Sequence, residues 1–229
     1  MEQPRTLKSP QEVAAEIVRE VRALPEINTP NVRSVRRRYS KRLKGADADF
    51  VLDVARLLLR DYGYRMVPYE LIAHHREAFA RLGEAELEAL GRGIDSWGSV
   101  DVFARTLSGP AWLRGQVPDA SIARWARSED RWWRRAALVS TVALNVRSHG
   151  GGGDVERTLA VCRMLVDDYD DMVVKALSWA LRALVVHDEE AVSDFLEEHE
   201  EVLAARVKRE VRNKIATGLK NPRGGRDAT

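Results

Sequence analysis

ARWARSEDRWWRRAALVS, residues 123–140, and CRMLVDDYDDMVVKALSWALRAL, residues 162–184, share one plan. Each opens with a helical stretch, passes through a short acidic turn and enters a second helix that carries Trp and Arg. Apolar residues recur three and four apart, the spacing that lines one face of a helix. Two such segments in succession point to stacked antiparallel helical pairs.

The rest of the chain follows the same pattern. Ser9-Pro10-Gln11-Glu12 is a helix start: a hydroxyl cap, Pro in the first turn, then an acidic residue. Val13, Ile17, Val21 and Leu24 follow at helical spacing. Thr29-Pro30 opens a second helix with Val32, Val35, Tyr39 and Leu43 on one face. Further helices are expected near 47–61, 65–82, 84–92, 99–108, 118–128, 130–147, 153–167, 170–186, 188–199 and 201–217. Gly45, Gly63, Gly83, Gly93, Gly109-Pro110, Val117-Pro118 and Gly150–Gly153 separate them. No stretch shows the two-residue alternation of a strand. A helical pair every 35 to 45 residues is the period of HEAT and armadillo repeats, so the expected fold is an all-α solenoid, with a globular helical bundle as the alternative. One domain is expected over 1–219, followed by a polar, disordered tail over 220–229.

The formal net charge is only +2, but its distribution is uneven. Residues 31–44, NVRSVRRRYSKRLK, carry seven positive charges and no negative one. Residues 206–226 carry eight positive charges and one negative. Acidic stretches lie between them, at 167–171 and 188–201. Of the 37 basic residues 30 are Arg, whose planar fork matches phosphate better than the point charge of Lys, although a GC-rich genome enriches Arg as well. Segregated charge of this kind suits a surface that tracks an anionic polymer, or it forms ordinary solvated helix faces. Arg33, Arg36 and Arg37 in the first run and Lys208, Arg209 and Arg212 in the second are the candidate phosphate contacts.

The single cysteine, Cys162, allows no intramolecular disulfide, iron–sulfur cluster or zinc ribbon, and fits a reducing cytoplasm. The start, MEQPRTLKSPQEV, lacks the apolar core of a signal peptide, and no apolar run is long enough to cross a membrane. A cytoplasmic, nucleoid-associated monomer is the expectation.

Three segments place an indole beside a charged group on one helix face. Trp97 and Asp101 are four apart in DSWGSVD, and Trp132 and Arg135 three apart in DRWWRRAALVS. Lys175, Trp179 and Arg182 are spaced four and three in KALSWALRAL. Tryptophans of a hydrophobic core have apolar neighbours at these spacings. Structural salt bridges between helices, Asp101 with Arg135 for example, are one explanation. The other is chemistry on a damaged nucleotide: indoles pack on a sugar or cationic base, arginines grip phosphates and one carboxylate faces the sugar.

At these residues the sequence resembles the DNA alkylation repair family, the AlkD-like HEAT-like repeat DNA glycosylases, over about 27–215. SWGSVD at 96–101 is similar to the family's WWDSVD segment, with Ser96 and Gly98 standing where the family has Trp and Asp. WWRRAALVS at 132–140 is similar to W-x-x-R-A-A-I. KALSWALRAL at 175–184 is similar to KAIGWVLREY, and Lys208-Arg209-Glu210 falls in its S-R-R-E-A segment. The resemblance implies a solenoid whose concave basic face holds duplex DNA, and hydrolytic release of N3- and N7-alkylated purines without metal or cofactor. Asp101 then falls on the catalytic carboxylate, Trp97 and Trp179 on the aromatic positions, and Arg135 on the active-site arginine. Lys175, Arg182, Arg131 and Arg134 become DNA contacts. A DNA binder that excises nothing, and a protein–protein scaffold, are the alternatives.

Other features carry less. Adjacent His74 and His75 point apart on a helix and suggest a surface or phosphate role rather than a metal site. Gly150–Gly153 lacks the Lys-Ser/Thr of a phosphate-binding loop and reads as a flexible connection. Cys162 reads as core. Asp170 and Asp171 beside Lys175 oppose a role for its amine as nucleophile, so no lyase activity is expected.

Overall fold

The computed structural model describes residues 9–222, whose regular structure is helical, without a strand among them. The last seven residues of the tail expected to be disordered lie outside the described residues. Backbone contacts group the chain into two compact units, Met1–Gly93 and Ile94–Thr229.

In the N-terminal unit, α1 (Pro10–Arg22), α2 (Thr29–Arg42), α3 (Ala48–Tyr62) and α4 (Met66–Ala73) form the body, and α5 (Arg76–Ala80) and α6 (Glu84–Gly91) complete it. α1 packs on α2 and α3, and α4 on α2 and α3. Ser9 and Glu12 close the capping box read from the sequence. Val13, Ile17, Val21, Val35 and Leu58 fill the core. The single helix expected over 65–82 is broken at His74 and His75. His75 is extended and buried, and its Nδ1 accepts from the Ala78 N–H at 3.1 Å, capping α5. Its other ring nitrogen lies 3.1 Å from the Ala46 carbonyl. His75 is therefore a structural cap, and the surface role expected for it is corrected.

The C-terminal unit consists of α7 (Trp97–Phe103), a π turn (Ala104–Ser108), α8 (Gly109–Leu113), α9 (Asp119–Ala126), α10 (Arg131–Asn145), α11 (Val155–Met164), α12 (Asp171–Leu184), α13 (Glu189–Glu198) and α14 (Ala205–Thr217). α7, the π turn and α8 run on as one helical rod. The rod packs on α10, α10 on α12 and α12 on α14, which makes one layer. α9, α11 and α13 form the second layer. The first-layer helices begin at Trp97, Arg131, Asp171 and Ala205, intervals of 34, 40 and 34 residues. That is the stacked-pair architecture expected from the two opening segments.

α10 is the spine of this unit. Every residue from Arg135 to Asn145 is buried, as expected for a helix flanked on several sides. Its buried hydroxyls and its amide are hydrogen-bonded. Ser140 donates to Ala136 O, Thr141 to Leu138 O, and Asn145 to Thr141 O and Thr158 Oγ1.

Two glycine sites differ from their sequence readings. Gly109-Pro110 does not end the helix. The Gly109 N–H donates to Ala104 O in the widened turn, directly before the bond that Pro110, lacking an N–H, leaves unmade. A Cβ on Gly109 would lie 2.7 Å from Ser140 O and 2.8 Å from Ala143 Cβ, so this glycine sets how closely the rod approaches α10. Nor is Gly150–Gly153 a loose connection. Gly153 has φ +97 and lies against the His187 ring, whose Nε2 is 2.8 Å from Asn145 O.

Gly109→Ala is expected to lower stability by about 1–3 kcal/mol through overpacking. Gly98→Ala, with nothing within 4 Å of the added carbon, should be neutral or stabilising by up to about 1 kcal/mol. Urea melts of the two variants check this, and equal midpoints would contradict the close approach.

Candidate functional site

The candidate carboxylate and arginine meet. Asp101, in the second turn of α7, receives two bonds from Arg135 of α10, Nε to Oδ1 and Nη2 to Oδ2, each 2.9 Å. This parallel fork is the strongest geometry open to an Arg–carboxylate pair. The third guanidinium nitrogen, Nη1, donates to the carbonyl of Met172 in the first turn of α12. Arg135 thus joins three successive first-layer helices, and it is only 5% exposed. The Asp101 side chain keeps 17% of its surface. Its plane is fixed, yet a ligand can reach it.

The indoles divide into two kinds. Trp97 is 63% exposed at the first residue of α7, one turn from Asp101. An indole this exposed is poorly used in a fold and well placed for a partner. Trp179 on α12 is half-buried, and the Arg105 guanidinium stands 5.5 Å over its ring. Trp132 is also half-buried, under Arg131 at 4.9 Å. Trp125 is buried and Trp133 half-buried, clustered with Phe103 at centroid separations of 4.9–6.2 Å.

The candidate phosphate contacts are not equivalent. Along the first turns of α10 and α12 the acidic 167–171 segment supplies counter-ions. Arg134 pairs with Asp168 at 2.6 Å, Arg131 with Asp170 at 3.3 Å and Lys175 with Asp171 at 2.6 Å. Lys175 beside it holds the Asp171 carboxyl below the usual carboxylate range. Lys208 and Arg212 both pair with Glu200. In the N-terminal unit Arg33 and Arg36 converge on buried Glu70. Arg36 is itself buried, so its assignment as a phosphate contact is corrected to a structural one. Arg37 and Arg209 are exposed, with no ion-pair partner among the described residues.

Arg182 has a different setting. Its Nε donates to Ser178 Oγ at 3.1 Å and lies 4.0 Å from the Glu210 carboxylate. Burial pushes this guanidinium below its usual range, and the Glu210 charge acts against that shift. Trp179 and Arg182 line a groove of about 560 Å³ at the C-terminal ends of α10, α12 and α14, with Arg147, His187, Lys214 and Lys220.

Arg105, Ser178, Glu210, Arg147, Lys214 and Lys220 are not among the site candidates named from the sequence. Arg105 stands one turn beyond Asp101 and Ser178 directly precedes Trp179, so helical spacing carried a signal for both. Glu210 is the sole acidic residue in the basic run 206–226, an interruption that marks it out. No His, Cys, Asp and Glu grouping suited to a metal occurs among the described residues, and none of their helices is long and apolar enough to cross a membrane.

Arg135→Met unties three helices and leaves Asp101 without its partner, so it should cost about 2–4 kcal/mol. Trp97→Ala, at an exposed position, should change stability by under about 0.5 kcal/mol. Urea unfolding of both variants checks the contrast, and comparable losses would mean that the Arg135 tie carries little of the fold.

No curated protein and no solved structure matches this chain. A family model described as DNA alkylation repair enzyme does match, over residues 8–215. That match begins ahead of residue 27, where the resemblance read from the sequence starts, and so takes in α1. With nearly the whole chain covered, and with Asp101, Arg135 and the indoles set out as above, the chain belongs to the DNA alkylation repair enzyme family.

Proposed function

We propose that the protein is a monofunctional DNA glycosylase that hydrolyses the N-glycosidic bond of N3- and N7-alkylated purines in duplex DNA, initiating base excision repair. The observation that carries this reading is the Asp101 carboxylate, clamped by Arg135 yet still reachable, one helical turn from the exposed indole of Trp97.

A purine alkylated at N3 or N7 carries a positive charge and is a good leaving group. The C1′–N bond breaks with its electron pair going to the base, which departs neutral, and the sugar becomes an oxocarbenium ion. Asp101 stabilises that cation and orients a water, whose oxygen bonds to C1′ while its proton passes by way of the carboxylate to solvent. Trp97 and Trp179 pack on the sugar and backbone, and their faces attract the cationic base by about 0.5–2 kcal/mol per contact. Arg135 positions Asp101. Arg182, Lys175, Arg131, Arg134, Lys208, Arg209 and Arg212 supply charge toward the phosphates, as do Arg33 and Arg37 in the N-terminal unit. The chemistry calls on no metal or cofactor. The 2.6 Å pairing of Lys175 with Asp171 supports hydrolysis without a lyase step, since an ammonium held by a carboxylate is a poor nucleophile.

A second reading, a DNA binder that excises nothing, draws on the same pair: both Asp101 oxygens are already engaged by Arg135, as in a purely structural bridge. The two readings diverge on one assay. Asp101→Asn should slow release of 7-methylguanine from methylated duplex by at least about a hundredfold, while DNA affinity stays within about threefold, well under 1 kcal/mol. Equal release by wild type and variant would contradict the role of Asp101. No release by the wild type, with tight salt-sensitive binding, would favour the binder.

A further inference from the structure

Glu210 of α14 is 2% exposed and sits among four partners. Ser178 Oγ donates to it at 2.6 Å. Lys220 approaches to 3.4 Å, Arg206 to 3.7 Å and Arg182 to 4.0 Å. Ser178 also accepts from Arg182 Nε, so the hydroxyl relays the carboxylate to the arginine. Removing a carboxylate from water is costly unless it is paired and hydrogen-bonded, and here one buried anion is matched by three cations.

Two of those cations, Arg182 and Lys220, line the groove at the C-terminal ends of α10, α12 and α14, together with Arg147 and Lys214. No Asp or Glu contributes to the groove lining. Lys214 is held by its bond to Gly218 O at 2.8 Å, and Arg147 is exposed without an ion-pair partner among the described residues. Cations at helix C-termini are favoured by the negative ends of the helix dipoles, which eases their crowding. Trp179 forms part of the wall, and Val186 and Leu219 are exposed along it. A trough of cations with one aromatic wall fits a phosphodiester chain whose sugars and bases lie against the indole.

We propose that buried Glu210 is the positioning residue of a phosphate-binding groove, holding Arg182 directly and through Ser178. This rests on the reading of the protein as a DNA-binding repair enzyme, and adds to it the anchor of the phosphate contact and the groove in which the strand runs. The unmade bonds of Arg182 then point to the strand in one orientation, with little ordering left for the moment of binding.

The sign of one substitution separates this from simple electrostatics. Glu210→Gln keeps the shape and a hydrogen-bond acceptor for Ser178 while removing a negative charge beside the groove. If the groove acts only through its net charge, the variant binds DNA more tightly. If Glu210 positions Arg182, it binds more weakly.

The experiment titrates a methylated duplex against wild type, Glu210→Gln, Ser178→Ala, Arg182→Ala and the Glu210→Gln/Arg182→Ala double variant over a salt series. A thermal melt of each variant establishes that it is folded. The expected result is binding about tenfold weaker for Glu210→Gln, and a slope of log K against log salt shallower by about 0.9, the value of one phosphate contact. The double variant should bind no more weakly than Arg182→Ala alone, since the two residues act through one contact. Ser178→Ala should shift affinity in the same direction, and it keeps the test decisive if Glu210→Gln fails to fold. Unchanged or tighter binding by folded Glu210→Gln, or additive losses in the double variant, would overturn the inference while leaving DNA binding intact. A wild type without DNA affinity would overturn the DNA reading and the inference with it.

Discussion

The guanidinium of Arg135 is the joint on which the C-terminal unit depends. Two of its nitrogens hold the Asp101 carboxylate in α7, the third holds a backbone carbonyl in α12, and its own stem belongs to the wholly buried face of α10. A lysine could not replace it, because one ammonium cannot present a planar fork in one direction and a donor in another. The same contacts that tie three helices together also fix a carboxylate beside an exposed indole. Fold and site share one side chain here, so the site's geometry is as rigid as the helix stack that carries it.

The distribution of charge follows from where helices begin and end. The acidic segment 167–171 lies at the start of α12 and neutralises Arg131, Arg134 and Lys175 there. At the opposite ends Arg182 and Lys220 meet a single buried carboxylate, Glu210, while Arg147 and Lys214 line the same groove without an acidic partner among the described residues. A net charge of +2 conceals this arrangement. Attraction for an anionic polymer is strongest at cations left without exposed counter-ions, and a count of Arg and Lys along the chain does not identify them.

Much of the fold was legible because helix periodicity, caps and breakers are local. Ser9 with Glu12, and the repeat of helix, acidic turn and Trp-bearing helix, led directly to the stacked pairs. The misreadings arose where a side chain or glycine answers to a distant neighbour. His75 breaks a helix because it caps the next one and reaches Ala46. Gly109-Pro110 continues a helix because a π turn precedes it and Ser140 lies close by. Gly150–Gly153 reads as loose until His187 and Asn145 are brought against it. In the site, the Asp101–Arg135 pairing was foreseen as one of two explanations, since both lie on well-marked helix faces. Arg36 looked like a phosphate contact because the Glu70 that captures it is more than thirty positions away. Arg105 and Glu210 escaped notice for the same reason: their partners, Trp179 and Ser178, come from other helices.

The central claim is that Arg135 and Asp101 form one chemical device, the arginine acting through the carboxylate. Single-turnover excision of 7-methylguanine by wild type, Asp101→Asn, Arg135→Met and the double variant, each shown to be folded, tests it most directly. Arg135→Met alone should be slowed, and the double variant should be no slower than Asp101→Asn, as residues acting as a unit give non-additive losses. Losses that multiply in the double variant would contradict it, and would mean that Arg135 and Asp101 serve the reaction independently; an Arg135→Met variant as fast as wild type would mean that Arg135 serves only the fold.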